Sequence, residues 1–201
     1  MNYMEQMKKR IEESEYGSAF IVSDFTDIMN YETAKKCLTR LEKNGVLRRI
    51  IRGVYDKPLY STILQETVAP NPEEIAKAIA RNFNWIIAPD ENTALNLLGL
   101  STQVPAKWLF ISNGPYREYI IGNSTIRFIH RANKQLSQMS YMSILVIEAI
   151  KGIGKDRLNE EHIIYLRKKL SKEHKQDLLK EARFTSTWIY SAIKEICIEE
   201  A

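Results

Sequence analysis

The sequence is poor in the residues that carry metal and redox chemistry. Of 201 residues, two are cysteine and three are histidine. Cys37 and Cys197 lie far apart, and each falls on an apolar helical stripe. Both are read as small buried hydrophobes, not as a disulfide or a ligand pair. His130, His162 and His174 are scattered, so no metal site and no cofactor are expected. Glycine is also scarce. The segment Lys151-Gly-Ile-Gly-Lys155 lacks the spacing of a phosphate-binding loop and reads as a helix stop. No serine sits in a nucleophile elbow. Long hydrophobic runs are absent, and no apolar signal segment opens the sequence. A cytoplasmic protein without membrane contact is expected.

What is present is a hydrophobic fraction of 44%, enough for a proper core in one or two domains. Positive charge is also present, and it is concentrated. The formal net charge is +4. Between residues 31 and 57 eight basic residues (35, 36, 40, 43, 48, 49, 52 and 57) face three acidic ones, Glu32, Glu42 and Asp56. The rest of the chain is therefore near neutral. A focus of this kind suits a phosphate backbone, because neutralising phosphates releases counterions.

That basic stretch carries a pattern. Ala34, Cys37, Leu38 and Leu41 recur at helical spacing. Asn30 is placed to cap the helix, and Asn44 with Gly45 to stop it. Two short β-type runs follow and meet near Arg52 and Gly53. Upstream, Met4, Met7 and Ile11 form an earlier helical stripe. Ser23 is expected to cap a short helix through Met29, with Phe20, Val22, Phe25 and Ile28 turned inward. Helix, short helix, turn, helix, hairpin is the order of a winged helix-turn-helix, whose second helix enters the major groove. The expected DNA-binding residues are Tyr31, Glu32, Thr33, Lys35, Lys36 and Arg40 on the helix, with Arg48, Arg49 and Arg52 in the wing.

The expected fold class is α+β. A winged helix-turn-helix over residues 1–60 is followed by a linker over 61–72, with a short turn near residues 61–65. An α/β domain ending in helices then occupies 73–201. Its expected elements are a helix opened by Pro72, a strand over residues 85–88, and a helix from Asp90 stopped by Gly99. Strands follow over 107–112, 119–121 and 125–130, then a buried helix from Ser143. Amphipathic helices close the chain over residues 160–170 and 176–198. Asp90 and Glu91 after a strand, with Lys107 entering the next, resemble the acid and lysine set of metal-dependent nucleases. Asp90 is equally well placed as an ordinary helix cap, and no catalytic residue is assigned.

Two blocks together resemble a known family. One is Leu41-Glu42-Lys43-Asn44-Gly45-Val46-Leu47 leading to Arg52-Gly53-Val54-Tyr55. The other is Ala-Leu-Asn-Leu-Leu-Gly-Leu-Ser-Thr-Gln-Val-Pro over residues 94–105, before the strand at Trp108. Over residues 1 to about 135 the chain resembles the AbiEi-type antitoxins of type IV toxin–antitoxin and abortive-infection systems. The resemblance implies a winged domain that represses its own operon and a C-terminal domain that counters a nucleotidyltransferase-like toxin. Expected partners are double-stranded operator DNA and such a toxin. Surface candidates on the C-terminal domain are Asn92, Asn96, Ser101, Thr102 and Gln103 in the second block. Arg117, Arg127 and Arg131 on the strands complete the set. For residues 101–103 a polar loop closing the preceding helix is an equal alternative. Two other readings stand beside the antitoxin. One is a stand-alone regulator whose C-terminal half binds a protein or ligand, and the other is a nuclease with a winged targeting domain.

Overall fold

A computed structural model describes residues 2–103, 105–131 and 138–198. It shows an α+β chain that divides into two compact units, residues 1–85 with 119–126 and residues 86–118 with 127–201.

The first unit opens with helix α1 (Tyr3–Glu13), whose first turn is closed by a capping box between Asn2 and Glu5. Strand β1 (Ala19–Ile21) leads into a short 3-10 turn, Val22–Phe25. Ser23 is exposed and does not cap it. The carboxylate of Asp24 accepts from the Ile21 amide instead, because the turn begins two residues earlier than the hydroxyl pattern suggests. Helix α2 (Tyr31–Lys43) follows, with the Asn30 side chain accepting from the Thr33 amide at 2.9 Å. It stops at Asn44 and Gly45, the latter at φ +72°, as the sequence predicts.

Strands β2 (Arg48–Ile51) and β3 (Val54–Asp56) form a hairpin around Arg52 and Gly53, and Gly53 takes φ +84°. With β1 they make an antiparallel sheet of order β1-β3-β2. Met7, Ile11, Phe25, Ala34, Leu38, Leu41 and Tyr55 supply the buried centre of this half. Full burial of each large side chain contributes about 1.5–3 kcal/mol.

Residues 61–72 do not form a plain linker. Strands β4 (Tyr60–Ser61) and β5 (Glu66–Thr67) pair as a second hairpin. Helix α3 (Pro72–Phe83) then packs on β1 and β3. The expected boundary at residue 72 thus moves to 85. The cause is non-local: Arg81 reaches back to pair with Asp24 at 3.0 Å and to donate to the Ala19 carbonyl at 2.9 Å.

The second unit begins with strand β6 (Ile87–Pro89), two residues later than expected, and helix α4 (Glu91–Leu97). Strand β7 (Lys107–Ser112) pairs antiparallel with β6, and strands β8 (Arg117–Ile121) and β9 (Ser124–His130) follow, their residues 119–126 belonging to the first unit. Helix α5 (Tyr141–Ile153) is buried along most of its length. It lies so close to α4 that a Cβ on Gly152 would meet Leu95 at 3.0 Å and the Glu91 carbonyl at 3.1 Å. Helix α6 (Glu160–Lys169) matches its predicted span.

The single helix expected over 176–198 is instead two. These are α7 (Lys172–Glu181) and α8 (Thr187–Ile196), separated by a 3-10 turn, Ala182–Phe184. The break allows Leu178, Ala182, Ile189 and Ile193 to enter one core with α5. Among the described residues no helix is long and apolar enough to cross a membrane.

Candidate nucleic-acid interface

Helix α2 is held by its apolar stripe, with Ala34, Cys37, Leu38 and Leu41 all buried. Its opposite face is therefore fixed outward. There Glu32, Lys35, Lys36, Thr39, Arg40 and Lys43 line one shallow hollow. Tyr31 is exposed at the helix start, and Thr33 is half-buried beside the cap. Thr39 turns its hydroxyl back onto the Lys35 carbonyl at 2.9 Å.

The eight cations counted in the sequence do not act alike. Arg48 is consumed by the fold. Its Nε donates to Asp56 Oδ1 at 3.0 Å and its Nη2 to Oδ2 at 2.5 Å, while Nη1 donates to the Val68 carbonyl at 3.1 Å. Asp56 has no exposed surface, so this ion pair is a packing element that ties Arg48 to the hairpin. Lys57 is likewise engaged. Its Nζ donates to the carbonyls of Glu12 and Ser14 and lies over the Tyr16 ring. That arrangement closes the C-terminal end of α1.

Six cations remain: Lys35, Lys36, Arg40 and Lys43 on α2, and Arg49 and Arg52 on the hairpin. All six are exposed, and among the described residues none forms an ion pair. Elsewhere in the same unit, Arg10 pairs with Asp27 at 2.6 Å and Arg81 with Asp24. The hydrogen bond and charge of Asp27 raise Arg10, and Arg10 holds Asp27 below the usual carboxylate range. Among the described residues of the first unit, seven exposed cations are in no ion pair: these six, and Lys8 on α1.

The second unit presents less. Asp90 accepts from the Thr93 amide at 3.0 Å, the role of an ordinary helix cap. Among the described residues no three His, Cys, Asp or Glu side chains gather as a metal site. Asn92, Thr102 and Gln103 are exposed. Asn96 donates to the Gln103 carbonyl and Ser101 accepts from the Gln103 amide, so residues 101–103 form a polar loop folded onto the end of α4. Val104 of the same block lies outside the described residues.

Arg117 and Arg131 are exposed, whereas Arg127 pairs with Glu118 at 3.4 Å. An open groove of about 750 Å³ between α6 and α8 went unforeseen. It is lined by Lys155, Ile163, Arg167, Trp188, Ser191 and Ile198, among others. No local pattern signals it, because its walls come from two helices about thirty residues apart in the chain. Cys37 and Cys197 are free and buried, as read from the sequence, and burial pushes the Cys197 thiol up.

Comparison with curated proteins finds no match. Among solved structures, the chain is similar to the RV2827C protein from Mycobacterium tuberculosis. The TM-score is 0.42 at 10% identity, over 97% of this chain and 76% of that one. The model of a family of unknown function, DUF6088, matches residues 6–178. A match over so much of the sequence places the chain in that family: it belongs to DUF6088.

Proposed function

We propose that residues 1–57 act as a winged helix-turn-helix, with α2 as the recognition helix and the β2–β3 hairpin as the wing. On this reading the protein binds double-stranded DNA and acts by binding, not by catalysis. One observation carries the reading. Six exposed cations without carboxylate partners sit on the outward face of α2 and on the hairpin that follows it. A merely solvated surface mixes its signs, as α3 does with Glu73, Glu74 and Lys77. Phosphates would supply the missing anions, and each one neutralised would release counterions.

In the fuller form of this proposal, the protein represses its own operon and counters a nucleotidyltransferase-like toxin encoded beside it. The support for that part is the resemblance of residues 41–55 and 94–105 to the AbiEi-type antitoxins. Fluorescence anisotropy of the full chain on duplex DNA from upstream of its own gene tests the DNA-binding part. Growth rescue on co-expression with the neighbouring gene product tests the antitoxin part.

A second reading, a stand-alone regulator, draws on the groove between α6 and α8. Its volume and its mixed lining of Trp188, Arg167 and Ser191 suit a ligand or a segment of a partner protein. A neighbouring gene unrelated to nucleotidyltransferases, with DNA binding intact, would favour it.

A further inference from the structure

Glu32 is the single acid among the residues lining the hollow on α2. It is exposed and lies three and four positions before Lys35 and Lys36, the spacing at which helical ion pairs form. Helix α3 shows that spacing in use: Lys77 meets Glu73 at 3.0 Å and Glu74 at 3.2 Å. On α2 the same spacing yields no ion pair among the described residues. Nor is the Glu32 carboxylate needed as a cap, because the Asn30 side chain already accepts from the Thr33 amide.

A free carboxylate on a DNA-facing surface has few partners. Phosphate oxygens repel it. Guanine and thymine present only acceptors or a methyl group in the major groove. Hydrogen-bond donors there are the exocyclic amines of cytosine and adenine. Adenine sets its N7 acceptor beside the amine, which opposes an acceptor-only group, whereas cytosine offers N4 without one. Resting on the DNA-binding reading above, we infer that Glu32 is a specificity-determining residue that selects a cytosine in the operator by accepting from its N4 amine.

The test is selection from a randomised duplex pool by the full chain, followed by sequencing. Wild-type protein is expected to enrich a motif with one position fixed as cytosine. The near-isosteric Glu32→Gln both donates and accepts, so it is expected to move that position to adenine, which glutamine reads through N6 and N7. Glu32→Ala is expected to leave the position degenerate, with the other positions unchanged and the melting temperature lowered only slightly by loss of an acid from the first turn of α2. Affinity for random DNA should hold or rise in both variants, since a repulsive charge is lost. A purely structural role for Glu32 would not exchange one base for another. Identical motifs from all three proteins would overturn the inference and leave DNA binding intact, as would wild-type binding without any motif. Failure of the wild type to retain DNA would overturn the DNA-binding reading itself.

Discussion

Arg48 and Asp56 stand opposite each other on the hairpin and close a two-pronged ion pair on a carboxylate that has no exposed surface. Breaking such a pair from one side leaves a buried charge without a partner, at a cost of about 3–5 kcal/mol. Arg48→Ala should therefore lower the thermal midpoint markedly. Arg49→Ala and Arg52→Ala, on exposed residues without partners, should change stability by no more than about 0.5 kcal/mol. Thermal unfolding of the three single variants checks the division. Equal destabilisation by all three would remove the distinction.

Salt dependence should separate the same residues in the opposite order. If Arg49 and Arg52 meet phosphates, each alanine should reduce the slope of log affinity against log salt by about 0.9. With six unpaired cations, the full slope should not exceed about −5. Arg48→Gln, measured at a temperature where it is folded, should leave the slope unchanged. A slope that falls with Arg48 but not with Arg49 and Arg52 would reverse the assignment.

On the DNA-binding proposal Arg40 is the base-reading candidate, as the one arginine among the cations lining the hollow. It lies one turn beyond Lys36 on the face that lines the hollow. A bidentate contact from arginine to guanine O6 and N7 discriminates by about 1–3 kcal/mol. Arg40→Ala should weaken binding to the operator more than binding to random duplex. Competition titration measures both, and equal losses would make Arg40 a phosphate contact.

Glu181 should shape the acid limb of stability. Burial pushes its carboxyl up, but hydrogen bonds from Ser143 and from the Ser140 amide and hydroxyl outweigh that and hold it below the usual carboxylate range. A folded-state pKa lowered in this way stabilises the protein above the unfolded-state value. The stabilisation is lost as pH falls through the folded-state value. Glu181→Gln should therefore cost stability at neutral pH and flatten the decline below about pH 4. A parallel decline in both proteins would show that Glu181 contributes nothing to it.

The parts of this fold legible in the sequence are those set by local chemistry. The apolar stripe of α2, its Asn30 cap and its Asn44-Gly45 stop lie within sixteen residues, and the structure places them as read. The β2–β3 turn was legible for the same reason. Arg48 was not. Counting back from the Ile51 and Val54 pair would set it opposite Lys57. A register shift between Arg49 and Ile51 brings Asp56 opposite it instead. The placement of α3 rests on Arg81 meeting Asp24, fifty-seven positions away, which no local pattern reports. The β4–β5 hairpin has two-residue strands and no glycine turn, so it offers little periodicity to read. The division between α7 and α8 is hidden because apolar spacing continues through the 3-10 turn at Ala182–Phe184.

The most direct measurement is binding of duplex DNA from upstream of the protein's own gene to two full-length proteins at about 100 mM salt. One is the wild type. The other carries Lys35→Ala, Lys36→Ala, Arg40→Ala, Arg49→Ala and Arg52→Ala, with the Arg48–Asp56 pair left intact. Salt-sensitive binding by the wild type is expected, with a loss on the order of 100-fold or more in the variant and both proteins folded. Absence of binding by the wild type, or equal binding by both, would contradict it.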